Sequence, residues 1–141
     1  MKKTIICLSG PGYTGKTSTI WKLFEILGGK NREYYPEVED KVLYCNYTIG
    51  CMSTGDPGSS QEESLEKLLK EGCNIVVTAC RSYGGTVDIV EKLAGKYNYR
   101  VIRFSHIYLY NDLGEVLFNL SHEGNIKFIL TIIDKLIAGE I

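Results

Sequence analysis

Apolar residues along this chain repeat with two periods in turn, one of a buried strand and one of a helix face. Thr4 to Leu8 is a short β-branched and apolar run, which predicts a buried strand. Beyond a glycine-rich turn, Ile20, Leu23, Phe24 and Leu27 fall at i, i+3, i+4 and i+7, the spacing of one helix face, and Gly28 and Gly29 end that helix. Residues 30 to 40 are polar and tyrosine-rich and predict no element. Val42 to Thr54 is rich in β-branched, aromatic and cysteine residues and predicts one strand or two, broken by Gly55, Asp56, Pro57 and Gly58. Ser60 and Glu63 have the spacing of a capping box, opening a helix that buries Leu65, Leu68 and Leu69 and closes at Gly72.

The second half repeats the alternation. Cys73 to Cys80 reads as a buried strand, and Gly84, Gly85 and Thr86 lead into a helix through Val87, Val90, Leu93 and Ala94. Tyr99 to Leu109 predicts another strand. Residues 125 to 138 predict a last helix with Ile126, Ile129, Leu130, Ile133 and Ile137 inward. The order β-α-β(β)-α-β-α-β-α predicts an α/β fold, a three-layer sandwich whose doubly wound, mostly parallel sheet is covered on both faces. The chain of 141 residues fits one domain spanning 1–141, with no repeat and no linker.

Composition adds little beyond exclusions. Apolar residues make up 44% and charged residues 23%, and the net charge is −1, so no bulk field attracts nucleic acid or an anionic membrane. Cys7, Cys45, Cys51, Cys73 and Cys80 form no C-x-x-C pair and read as small buried apolar residues in a reducing compartment. With two histidines, a zinc site is not expected. The apolar run after Lys2 and Lys3 is shorter than a signal-peptide core of about 7–15 residues, and no stretch reaches a membrane span. The expected location is cytoplasmic.

The chemistry lies in residues 10 to 17, GPGYTGKT, which fit G-x-x-x-x-G-K-[ST] between a predicted strand and a predicted helix. Gly10, Gly12 and Gly15 let the backbone curl until successive N–H groups face one anion, and the helix start adds unpaired N–H groups and a positive dipole end. Lys16 is placed to reach the β- and γ-phosphates, and the Thr17 hydroxyl to ligate Mg²⁺. Pro11, Tyr13, Thr14 and Ser18 complete the expected nucleotide contacts, with Tyr13 either covering the phosphates, stacking on the base or standing as an ordinary exposed loop tyrosine.

Over roughly residues 4 to 27 the chain resembles the P-loop NTPase superfamily, in the manner of its small nucleotide-kinase-like members. The resemblance implies binding of a nucleoside triphosphate. An N-K-x-D guanine clamp is missing, which leaves ATP with Mg²⁺ as the expected ligands. One family feature is absent too. The strand IVVTAC ends in Cys80 and Arg81 instead of an Asp. Asp56, after IGCMSTG, is the nearest substitute, as a ligand in the metal shell or as a base toward an acceptor hydroxyl. Arg81, in CRSYGGT, is placed to face a phosphate at the sheet's ligand edge. The alternative is an ordinary Asp-Pro-Gly turn at Asp56 and a helix cap at Thr86 beside a solvated Arg81. Small-molecule kinase, ATPase or switch acting on a protein partner, and non-catalytic nucleotide-binding module all remain open, with the acceptor or partner unspecified.

Overall fold

The computed structural model describes residues 1–12, 14–30, 37–55 and 60–141. Its elements are β1 (Thr4–Ser9), α1 (Lys16–Ile26), β2 (Glu39–Tyr44), β3 (Tyr47–Met52), α2 (Gln61–Lys70), β4 (Ile75–Cys80), α3 (Gly85–Tyr97), β5 (Arg100–Ser105) and α4 (Glu115–Ile137). Five strands form one sheet in the order β2-β3-β4-β1-β5. β3, β4, β1 and β5 run parallel, and β2 pairs antiparallel with β3. Every residue of β1 and β4 is buried, as expected for central strands with helices on both faces.

Helices α1 and α4 cover one face, where Ile20, Leu23 and Phe24 meet Ile126, Ile129 and Ile133 over Ile6 and Leu8. On the other face α2 and α3 enclose Leu65, Leu68, Val90 and Leu93 with Ile5 and Val76. Each fully buried side chain of this size stabilises the fold by roughly 1.5–3 kcal/mol through removal from water. This architecture agrees with the expected α/β sandwich.

The chain leaves β1 on one face and returns through β2 and β3 on the far side of β4. It later crosses from β4 to β5 on the opposite face, over β1. The strand order therefore reverses at β1, and in open sheets of this kind a crevice forms outside the carboxyl ends of the strands there. Register puts Ser9, Cys80 and Ser105 side by side at that edge.

Several elements differ from the pattern-based reading. Val42 to Thr54 resolves into a hairpin that begins earlier, at Glu39, and turns at Cys45 and Asn46, both at positive φ (50° and 69°). Two positive φ values in a two-residue loop match the twist of the paired strands. Cys45, expected inside, is therefore exposed, while the other four cysteines are buried. The capping box does not form. Ser60 sits at φ −82° and ψ 23° and makes no side-chain cap bond, because the N-cap hydroxyl needs a β-region backbone to reach the helix N–H groups.

The last strand stops at Ser105, so Ile107 and Leu109 lie beyond it and are exposed. The last helix starts at Glu115, ten residues before the expected start. Val116, Leu117, Phe118 and Leu120 leave its first turns without an amphipathic period to read. Farther along, Ile132 and Leu136 are buried, whereas Leu130 and Ile137 are only partly so. No helix among the described residues is long and apolar enough to cross a membrane.

Candidate functional site

Residues 10–15 join the end of β1 to the start of α1, so the loop sits at the reversal point of the sheet. Gly10 N–H donates to the Cys80 carbonyl (3.1 Å), which ties the loop to β4. Gly15 has φ 92° and ψ 12°, a left-handed backbone that only glycine adopts without strain. Thr19 N–H makes the first bond of α1, to Gly15 O at 3.0 Å. The N–H groups of Lys16, Thr17 and Ser18 precede it and so lack intrahelical acceptors.

Each of the three loop glycines lies under a side chain from a different part of the chain. A Cβ at Gly10 would stand 2.6 Å from the His106 ring, one at Gly12 2.6 Å from the Arg81 guanidinium, and one at Gly15 2.8 Å from the His122 ring. At Gly15 both the left-handed backbone and the His122 ring favour glycine, at Gly10 the His106 ring leaves no room for a Cβ, and at Gly12 a Cβ would have to displace the Arg81 guanidinium. His106 follows β5, Arg81 follows β4, and His122 belongs to α4, so three elements clasp the loop.

Hydrogen bonds fix the two imidazoles. Thr14 Oγ1 donates to the Pro11 carbonyl (2.8 Å), so at 2.6 Å it must accept from His106 Nε2–H. His106 Nδ1 then carries no proton and faces Asn125 Nδ2 at 3.5 Å. The Asn125 amide is oriented by Ile107, whose N–H donates to Oδ1 (2.7 Å) and whose carbonyl accepts from Nδ2 (2.9 Å). Burial, with the charges of Lys16 and His122 adding to it, pulls the His106 pKa down to about 4, so the ring is neutral. His122 Nδ1 is 2.8 Å from the buried Thr19 hydroxyl, and Phe118 meets its ring edge-on at 4.4 Å. Burial lowers its pKa as well.

Lys16 is buried, with Nζ donating to Gly10 O and Pro11 O, each at 2.6 Å. Thr17 and Ser18 line a cleft of about 780 Å³ with Gly12, Gly15, Lys16 and, from the opposite wall, Glu37, Ser53 and Thr54. Its size lies within the ordinary range for small-ligand pockets. Phe118 lines it as well. Gly55 floors the far wall because a Cβ there would stand 2.4 Å from the Ala79 carbonyl, which also accepts from Gln61 Nε2 at 2.8 Å.

The structure therefore brings Gly10, Pro11, Gly12, Thr14, Gly15, Lys16, Thr17, Ser18 and Arg81 to one edge. Tyr13 and Asp56 lie outside the described residues. Glu37 is the one carboxylate among the described residues that lines the cleft. Ser53 Oγ donates to it and accepts from Val38 N–H (2.8 Å), which holds the acid at the rim. Its position in a polar stretch without periodicity gave no sequence signal. His106 and His122 were missed as partners of the loop for a similar reason, since nothing in their spacing points to it.

Beneath the loop, at the end of β4 where the resemblance would place an Asp, the thiols of Cys80 and Cys7 lie 2.8 Å apart. The Cys7 hydrogen bond, aided by Ser9, Arg103 and Lys16, draws the Cys80 thiol down to about 7 against the opposing effect of burial. Among the described residues no three His, Cys, Asp or Glu side chains converge on a metal position. No protein-family model, curated protein or solved structure matches this chain.

Proposed function

We propose that the 10–17 loop is a P-loop that binds ATP with Mg²⁺, and that the protein transfers the terminal phosphoryl group to a small acceptor. One observation carries the reading. A glycine loop at the reversal point of a parallel sheet opens a helix through a left-handed Gly15, with Lys16 and Arg81 both against it. Two cations and a row of helix-start N–H groups at one loop suit a polyphosphate.

Lys16 would exchange its two carbonyl partners for phosphate oxygens and offset charge developing on the transferred group. Arg81, whose guanidinium lies over Gly12, would steady the same oxygens. Mg²⁺ would be held by Thr17 and the phosphates and would supply the remaining charge neutralisation. Glu37 across the cleft, or Asp56, is the candidate base: it would take the acceptor hydroxyl's proton while that oxygen attacks phosphorus and ADP leaves. Phosphoryl transfer depends on positioning and charge more than on covalent chemistry, so this small residue set is sufficient.

The end of β4 favours a second reading. Cys80 and Arg81 stand where an acid would be expected, which suits a nucleotide-binding module or a switch whose catalysis a protein partner completes. The deciding experiment measures ADP release from MgATP, with and without a pool of nucleosides, nucleotides and small metabolites, using Lys16→Ala as the blank. Release that rises with the pool supports the kinase reading. Release indifferent to the pool supports a hydrolase or switch. Equal release by wild type and Lys16→Ala would reject the loop as a catalytic element.

A further inference from the structure

Two buried thiols lie at the joint between the central strands. Cys7 pairs in register with Thr78, and Ser9 with Cys80, so Cys7, Thr78 and Cys80 share the sheet face that α2 and α3 cover. The two sulfurs are 2.8 Å apart, and a disulfide spans about 2.05 Å, so small side-chain rotations bring them to bonding distance. Both cysteines sit on strands paired over six residues, which builds the approach into the sheet.

The pair is chemically unequal. The Cys7 hydrogen bond, the Ser9 hydroxyl and the charges of Arg103 and Lys16 favour the Cys80 thiolate against the effect of burial. The bond to Cys80 and burial push the Cys7 thiol up instead. Burial raises Cys51 and Cys73 too. The thiolate is the nucleophilic form of cysteine, which makes Cys80 the reactive member of the buried four. Thr78 is fully buried, and its Oγ1 has no hydrogen-bond partner. An orphaned buried hydroxyl is costly, and an oxygen added to a neighbouring sulfur would give it an acceptor.

A route leads to the pair. Ser9, which acts on the Cys80 thiol, also lines a polar pocket of about 320 Å³ with Pro11, Ser82, Ser105 and Tyr108. Hydrogen peroxide is little larger than water and does not need the opening that a bulky thiol reagent needs.

We propose that Cys7 and Cys80 are a peroxide-sensitive pair that closes to a reversible disulfide, with Cys80 reacting first and Cys7 resolving it. The Cys80 sulfur attacks one peroxide oxygen, the O–O bond breaks, and water leaves with the thiol proton, giving a sulfenic acid. The Cys7 sulfur then attacks the Cys80 sulfur, the S–O bond breaks, and the oxygen leaves as a second water with the Cys7 proton. Two thiols are oxidised and one peroxide is reduced to two waters. The Cys80 carbonyl accepts the Gly10 N–H, so the new bond forms at the base of the glycine loop. The linkage does not depend on what that loop binds.

Peptide mapping of the full chain tests this. Reduced, folded protein is treated with graded hydrogen peroxide, its remaining thiols are blocked, and it is digested without reductant. Oxidation of the exposed Cys45 gauges the dose. A linked peptide joining Cys7 to Cys80, two hydrogens lighter than its parts and lost on adding dithiothreitol, should accumulate in wild type. Cys7→Ser should stop at a Cys80 sulfenic acid that dimedone traps, and Cys80→Ala should leave Cys7 unoxidised. Free Cys7 and Cys80 at doses that oxidise Cys45 overturn the proposal, as does a link that forms only once urea has unfolded the chain. Oxidation of Cys7 in Cys80→Ala at the wild-type rate would overturn it as well.

Discussion

Replacing His106 with glutamine should remove one source of this protein's sensitivity to mild acid. In the folded state His106 is neutral, with Nε2–H donated to Thr14 and Nδ1 facing the Asn125 amide nitrogen. A proton on Nδ1 would set one N–H donor against another, that of Asn125 Nδ2, and the amide cannot turn over without losing both Ile107 bonds. Burial and the charges of Lys16 and His122 hold the folded pKa at about 4, against 6.5 for the free side chain. The unfolded chain therefore binds the proton first as pH falls. Stability from this group is complete above about pH 6.5 and drains away as pH drops toward 4.

With those two values, the loss between pH 7 and pH 5 comes to about 2 kcal/mol. Glutamine keeps an N–H donor toward Thr14 but does not titrate. Urea unfolding at a series of pH values should give two stability curves that converge by about 2 kcal/mol between pH 7 and pH 5, whatever the fixed cost of the substitution. Carboxylate titration contributes equally to both curves and cancels in the difference. Curves that run parallel through this range would refute the argument, as would an imidazole resonance that titrates near its ordinary pH in the folded protein.

The remaining predictions concern the loop and the thiols. Gly15→Ala should cost more stability than Gly28→Ala in urea unfolding. Both positions have positive φ, worth about 1–2 kcal/mol, but only at Gly15 does the new Cβ also meet a fixed ring, 2.8 Å away at His122. Equal losses would show that His122 moves aside freely. A thiol reagent should label one cysteine, Cys45, rapidly in the native protein and the other four only on unfolding, since they are buried. Native labelling of Cys80 at a comparable rate would mean that the loop above it opens readily.

The sequence was most informative wherever physics acts within a few residues. The run Thr4 to Leu8, the helix face Ile20 to Leu27 and the alternation of strand and helix each follow from a period that a short window displays. The turn signals at Gly28 and Gly72 did the same, both having positive φ in the structure. The loop could be located because GPGYTGKT is contiguous and its glycine requirement is partly a backbone matter. Where local signals were ambiguous, they misled: Ser60 offered a cap that its backbone does not make, and the start of α4, whose Val116, Leu117, Phe118 and Leu120 follow no helical period, hid a helix.

What surrounds the loop was decided only by the tertiary structure. Thr14 and His106 are separated by 92 positions, and Thr19 and His122 by 103. They meet because the order β4-β1-β5 lays the exits of three strands side by side and because α4 returns across α1. Glu37 joins the cleft through Ser53, on the far side of a hairpin. No period or spacing encodes such encounters. They arise when burial of both faces of the sheet selects one strand order, and that choice sets which distant side chains fill the notches above Gly10, Gly12 and Gly15.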